Sequence, residues 1–251
     1  MNKLKNKVAV ITGASKGIGA SIAKYFAAEG AKVVVNYASS KEDADKVVKE
    51  ITDNGGDAIA VQGDVSKESD VTRIFEETKK AFGTLDILVN NAGIYQYAPI
   101  EEFSAQSFHS QFNINVLGSL LSIQAALKSF GEKGGNIINV SSGASNTPLP
   151  TGSVYSATKA ALDAITISLS KEFSGRNIRI NSILPGIVET EGSRSAGFIG
   201  SDAETKFVAT TPLGRTGQPE DIAKVAVFLA SEDAGWITGE KISVSGGIYG
   251  L

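Results

Sequence analysis

At 251 residues the chain is long enough for one large domain to bury a substantial core without covalent staples. Its 42% hydrophobic and 20% charged content is that of an ordinary globule, and a net charge of −3 gives no footprint for binding nucleic acid. The absence of cysteine excludes disulfides, thiolate metal sites and cysteine nucleophiles, and it fits a reducing, cytoplasmic setting with no metal expected.

The basic start Met1–Lys7 is followed by an apolar stretch of only Val8–Ile11, which reads as a first strand and is too short for a signal-peptide core. No apolar run approaches the roughly 18 residues that a membrane span requires. From there, short β-branched runs alternate with longer segments of helical period. The strands are predicted at Lys7–Thr12, Lys32–Asn36, Asp57–Gln62, Leu85–Asn90, Asn136–Ser141, Ile178–Leu184 and Lys241–Val244. The helices are predicted at Gly17–Glu29, Lys41–Asn54, Glu68–Phe82, Ser107–Phe130, Ser153–Ser174 and Pro219–Ala230. Gly30 marks the end of the first helix, and Pro219 with Glu220 and Asp221 marks the start of the last. Such alternation predicts an α/β fold, a parallel sheet with helices on both faces. No repeat or linker divides the chain, so residues 1–251 are read as a single domain. The one long irregular stretch, about 186–217, is glycine-rich and follows a strand on the side where α/β proteins bind ligands, so it is expected to be a substrate loop.

Two motifs carry chemistry. Gly13, Gly17 and Gly19 lie between the first strand and first helix, where the backbone must turn tightly and approach a pyrophosphate at a helix N-terminus. Their spacing differs from the familiar G-x-G-x-x-G fingerprint, and a glycine turn alone is weak evidence. Much further on, Tyr155-Ser-Ala-Thr-Lys159 follows Ser142 by thirteen residues. Residues four apart share a helix face, so the Lys159 ammonium favours the phenolate of Tyr155, whose ordinary pKa is about 10. Such a phenol exchanges protons with an alkoxide, the chemistry of a carbonyl reductase or alcohol dehydrogenase.

Together with Asn90-Asn91-Ala92-Gly93, Asn115 and Pro185-Gly186, these motifs resemble the compact, roughly 250-residue type of short-chain dehydrogenase/reductase over the whole chain, in order and spacing. The resemblance implies a single-domain, Rossmann-type, doubly wound sheet of seven parallel strands, a nicotinamide cofactor, a homotetramer and Ser-Tyr-Lys catalysis assisted by an asparagine. In its terms Tyr155 is the general acid or base, Ser142 holds the substrate oxygen, and Lys159 binds the nicotinamide ribose and tunes Tyr155. Asn115 holds a water linked to that lysine. Ser141 competes with Ser142 on the residues alone, since adjacent strand positions face opposite ways. The family's thirteen-residue interval selects Ser142.

Cofactor contacts implied by the resemblance are Gly13, Ser15, Lys16, Gly17, Ile18 and Gly19 in the glycine turn; Asn36, Tyr37, Ala38 and Ser39 after the second strand; Asp64 and Val65 at the adenine; Asn91, Ala92 and Gly93 along the adenosine ribose; and Pro185, Gly186, Val188 and Thr190 at the nicotinamide. Transfer from the pro-S face is implied as well. Asp64 reads equally as a cap for the helix after Ser66. The second strand lacks the acidic residue that holds ribose hydroxyls in NAD enzymes, while Lys16, Ser39, Ser40 and Lys41 offer a mildly basic seat for a 2′-phosphate. NADP(H) is favoured, with NAD(H) the alternative.

Tyr95, Gln96, Tyr97, Ala144, Asn146 and Leu149 are expected around the substrate in an apolar, aromatic pocket suited to a neutral ketone. His109 is read as a surface residue, and Trp236 as packing near the last strand. The helices Ser107–Phe130 and Ser153–Ser174 are expected to meet a second copy through Val116, Leu120, Leu121, Ile123, Leu127, Ala161, Leu162, Ile165 and Leu169. Beside a ketone reductase stand a 3-oxoacyl-[acyl-carrier-protein] reductase, with Lys128, Lys133, Arg176 and Arg179 as a carrier-docking patch, and a sugar dehydrogenase. A cofactor-sensing protein without turnover is disfavoured by the intact Ser-Tyr-Lys set.

Overall fold

A computed structural model describes residues 2–248. Seven strands form one sheet in which every pairing is parallel: β1 Val8–Ile11, β2 Lys32–Tyr37, β3 Asp57–Gln62, β4 Ile87–Asn90, β5 Gly135–Val140, β6 Ile178–Pro185 and β7 Lys241–Val244. Their order is β3-β2-β1-β4-β5-β6-β7. The chain winds outward from β1 to β3, returns to lay β4 on the other side of β1, and winds outward again to β7. The reversal leaves a crevice beyond the carboxyl ends of β1 and β4, the place where ligands bind in open α/β sheets. β1 and β4 are buried at every residue, which explains the apolar runs Val8–Ile11 and 87–89.

One face is covered by α1 Gly17–Ala28, α2 Lys41–Asp53 and α9 Pro219–Ala230. Phe26, Ile22, Ile222 and Leu229 fill the core there. The other face is covered by α3 Glu68–Phe82, α5 Gly118–Ser129 and α6 Ser153–Glu172, over a core that includes Ile74, Phe75, Ile123 and Phe173. α2 shows how the sequence sets a half-buried helix. Ala44, Val47 and Ile51 face the sheet, while Lys41–Asp45 and Lys49–Asp53 pair at i,i+4 on the water side. α9 starts where Pro219 and Asp221 require, with the Gln218 amide donating to Asp221 Oδ2 at 2.7 Å.

The predicted helix Ser107–Phe130 is broken. α4 Ala105–Phe112 begins two residues early on a Ser104 cap, and a widened π turn at Asn113–Leu117 separates it from α5. The loop at 186–217 holds two short helices, α7 Glu191–Ser195 and α8 Asp202–Thr210, capped by Thr190 and Ser201. α6 is tied to the sheet by a buried polar chain: Asn90 donates to Asn139, Asn139 to Thr166, and the Thr166 and Ser182 hydroxyls share a bond at 2.8 Å.

Most of the residues expected at a second copy point inward. Ile123 and Leu162 are core residues, and Leu121, Leu127, Ile165 and Leu169 pack against the core. Leu117, Leu120 and Ile167 are the exposed large apolar residues of these helices. Trp236 is fully exposed rather than packed, standing in the turn that follows the short 3-10 helix Glu232–Ala234. Among the described residues, no helix is long and apolar enough to cross a membrane.

Candidate active site

The crevice holds two contiguous cavities that share Ile18, Asn91, Gly93, Ile94, Tyr95 and Thr190. The first, about 420 Å³, is lined by the glycine turn, by Ala38 and Ser39 after β2, and by Asp64, Val65, Asn91, Ala92 and Gly93. Gly13 and Gly17 have φ of +61° and +59°, the left-handed region that favours glycine. A Cβ on Gly19 would lie 2.4 Å from Asn91 Nδ2 and 2.7 Å from the Gly13 carbonyl, so the turn closes on the strand only with glycine there. Lys16 precedes α1 without a side-chain cap, and the first turn carries no acid. The free N–H groups and positive end of α1 therefore face the cavity, a fit for a pyrophosphate.

The turn is held from below by two residues. Thr12 Oγ1 accepts from the Asn91 and Ala92 amides, and Asn91 Nδ2 donates to the Thr12 and Gly13 carbonyls. Thr12 was not legible as a site residue, since a threonine ending a strand signals nothing by itself. Asn36 is buried and braces the turn, accepting from the Gly13 amide and donating to the Gly63 carbonyl at 3.0 Å. Its side chain is committed to these bonds, and the residue lines the cavity. Tyr37 departs from the sequence reading too: its ring lies in the core beside Val35 and Ala44, and it does not line the cavity. The exposed rim is Ala38 and Ser39. Asp64 does not cap α3, which starts after Lys67 without a side-chain cap; its Oδ1 accepts from the Ser66 amide and hydroxyl, shaping the entry to that helix, and the residue lines the cavity.

The second cavity, about 470 Å³, contains Ser142, Tyr155 and Lys159 together with Gly93, Pro185, Gly186, Val188 and Thr190. Tyr155 and Lys159 sit one turn apart on α6, with Lys159 Nζ 5.8 Å from the Tyr155 ring centre and donating to the Val140 carbonyl at 2.8 Å. Burial pushes Lys159 down to about 8 from 10.5, opposed by the attraction of Asp163. The two serines diverge as strand geometry requires. Ser141 is buried and donates to the Lys159 carbonyl, whereas Ser142 is half-buried on the cavity wall and accepts from the Ala144 amide.

Asn115 is buried in the widened turn. Its amide exchanges two 2.9 Å bonds with the Ile94 main chain and donates to Thr158 at 3.0 Å. A Cβ on Gly93 would lie 3.3 Å from Asn115 Oδ1 and 3.5 Å from Lys159 Nζ, so glycine lets the strand end come close to both. Thr190 caps α7 through its hydroxyl, and Val188 bridges to Gly217, fixing both ends of this wall.

Toward the mouth, Tyr95, Tyr97 and Tyr155 form a triangle with ring centres 5.8 to 6.2 Å apart. Ala144, Leu149, Ile187, Ala196 and Phe198 complete an apolar lining. The last three belong to the loop and carried no local signal. Asn146 does not line this cavity; it turns away to accept from Lys241 Nζ at 3.0 Å. Gln96 is also drawn away, bonded to Ser107 and Gln111. His109 is exposed against Phe108, as a surface residue. Arg176 and Arg179 lie at the start of β6 and Lys133 before β5, the opposite end of a parallel sheet from the crevice. Arg179 donates to the Leu229 and Ser231 carbonyls. The expected carrier-docking patch is therefore not at the mouth.

Residues 13–249 match the adh_short_C2 family model, described as Enoyl-(Acyl carrier protein) reductase. The chain is 56% identical over 248 residues to an uncharacterized oxidoreductase of Methylorubrum extorquens, covering 99% of this chain and 100% of that one. It is 37% identical to a versicolorin reductase of Emericella nidulans, over 98% and 97% of the two chains. The crystal structure of angucycline C-6 ketoreductase LanV with bound NADP superposes with a TM-score of 0.93 at 35% identity, over 100% and 98% of the chains. The chain belongs to the short-chain dehydrogenase/reductase family of oxidoreductases.

Proposed function

We propose that this protein is a nicotinamide-dependent carbonyl reductase in which Tyr155 exchanges the proton between a neutral ketone and its secondary alcohol. The observation that carries the reading is the placing of Lys159, buried under the cavity floor one helical turn from Tyr155, with Ser142 on the same cavity wall. The bound dinucleotide supplies the hydride. Around it, the glycine turn and the α1 N-terminus hold the pyrophosphate, Asp64 and Val65 border the adenine, and Val188 and Thr190 border the nicotinamide. Ser142 holds the carbonyl oxygen by a hydrogen bond, and Tyr155 delivers its proton there. The Lys159 ammonium stabilises the phenolate left on Tyr155, which takes its next proton from solvent, and would bind the nicotinamide ribose. The Asn115 side chain is fully engaged and its main-chain carbonyl already accepts from the Ser119 hydroxyl at 2.9 Å, so a water beside Lys159 would be held through that carbonyl's second lone pair.

The lining supports a substrate without charge. Three tyrosines, Leu149 and Phe198 surround the cavity and suit an aromatic body, and the relatives' names, versicolorin reductase and angucycline C-6 ketoreductase, agree with carbonyl reduction. A panel of aromatic ketones, acyl thioesters and sugars, each with both cofactors, tests this. Highest kcat/KM on an aromatic ketone is expected, and highest kcat/KM on a thioester or sugar refutes the substrate class.

NADP(H) is the proposed cofactor. The rim after β2 presents Ala38 and Ser39 and no carboxylate, exposed Lys16 lines the same cavity, and the LanV structure has bound NADP. Lys16→Ala is expected to shift relative kcat/KM toward NAD(H) by about five- to thirtyfold, a partly solvent-screened contact of about 1 to 2 kcal/mol. Equal loss for both cofactors would make Lys16 a pyrophosphate contact. Because Tyr37 is in the core, the acidic substitution that favours NAD(H) belongs at Ala38.

A homotetramer is proposed from the family, with Leu117, Leu120 and Ile167 at one interface and Phe228 and Trp236 at another. Light scattering at micromolar concentration is expected to give four chains, and a monomer refutes it.

A further inference from the structure

α6 carries a second charged residue that the acid–base chemistry leaves unused. Asp163 lies one turn beyond Lys159, is 4% exposed, and belongs to the helix face that meets the Ser142 turn. Its Oδ2 accepts from the Ser145 hydroxyl at 2.6 Å, while Oδ1 is buried with no hydrogen-bond partner among the described residues. Burying a carboxylate on a single hydrogen bond is costly, and packing alone is met as well by an uncharged residue of the same shape. Ser145 is the other half of the arrangement. Its amide donates to the Ser142 carbonyl at 3.0 Å, within the short turn Gly143–Ser145 that follows the substrate-facing serine.

We infer that Asp163 is a positioning residue for the proposed reaction, acting through two neighbours: its charge keeps the Lys159 ammonium protonated, and its bond to Ser145 holds the turn bearing Ser142. This rests on the reductase reading of the same site. The surroundings of Lys159 leave Asp163 as the source of negative charge. Tyr155 faces it from the same helix, and the neighbouring elements present the neutral Asn115 amide, the Val140 carbonyl and Gly93. The attraction of Asp163 is the one influence opposing the burial of Lys159.

The two actions separate by mutation. Asp163→Asn removes the charge and keeps an oxygen that accepts from Ser145. Its lysine loses its proton at lower pH, so the alkaline limb of the kcat profile for ketone reduction is expected to move down by about one pH unit, with KM little changed. Ser145→Ala keeps the charge and frees the turn, so ketone KM is expected to rise about three- to tenfold while the limb stays in place. Profiles of Asp163→Asn parallel to wild type at every pH overturn the electrostatic role, and an unchanged KM in Ser145→Ala overturns the positioning of the turn. Should Asp163→Asn fail to accumulate, Asp163→Glu replaces it: a retained limb supports the charge, and a lowered limb overturns it. Wild-type turnover is measured first. Its absence would defeat the reductase reading itself, whereas an active wild type with parallel variants defeats this inference alone.

Discussion

Tyr155→Phe is expected to lower kcat for ketone reduction by about 10²- to 10⁴-fold while leaving dinucleotide affinity within about twofold of wild type. The substitution removes one oxygen and keeps the ring. Its edge contacts with Tyr95 and Tyr97, at 6.2 and 5.8 Å, remain available to phenylalanine, so the cavity keeps its shape. The cofactor is held chiefly by the glycine turn and the α1 N-terminus, which the change does not touch. Steady-state kinetics and fluorescence titration of the reduced cofactor check the two halves separately. Retention of more than about a tenth of wild-type turnover, less than losing an acid catalyst normally costs, would remove Tyr155 from the mechanism.

Lys159→Met should lose turnover by at least about 10²-fold and gain stability near neutral pH. In the folded protein Lys159 titrates at about 8, against 10.5 in the unfolded chain, and burial is the first cause. Below pH 8 the residue is charged in both states, and the folded state carries the full cost of burying it. Between pH 8 and 10.5 the unfolded chain binds more protons than the folded one, so wild-type stability gains from rising pH across that window. The cost corresponds to about 3 kcal/mol at low pH, and losing the bond to the Val140 carbonyl takes back about 1 kcal/mol. Denaturant midpoints at pH 7 are expected to be higher for Lys159→Met, with its advantage shrinking steadily toward pH 10.5. A variant less stable than wild type at pH 7 would mean that the ammonium is held favourably in the fold.

Legibility followed the range of the forces involved. Strands and long helices were readable because burial on both sheet faces imposes apolar runs, and half-burial imposes the spacing of Ala44, Val47 and Ile51. Gly13, Gly17, Gly19, Ser142, Tyr155 and Lys159 were readable as a spaced set, and the fold brings them to one crevice. What escaped was direction. Tyr37 and Asn146 stand at the expected positions in the chain, yet their side chains are claimed by the core and by Lys241, partners distant in sequence. The widened turn at Asn115 was hidden as well, since one extra residue in a helix leaves the apolar pattern almost intact. α8 had a visible start in Ser201 and Glu204, which the surrounding glycines obscured.

The most direct test of the account is isotope transfer. Wild-type enzyme is mixed with an aromatic ketone and NADPH carrying deuterium at the pro-S position of the nicotinamide, and the product alcohol is read by mass spectrometry. One deuterium on the carbinol carbon for each cofactor oxidised is the predicted result. Tight binding of the cofactor with no alcohol formed from any ketone would contradict it and leave a protein that holds the dinucleotide without turning it over, while undeuterated alcohol would contradict only the transferred face.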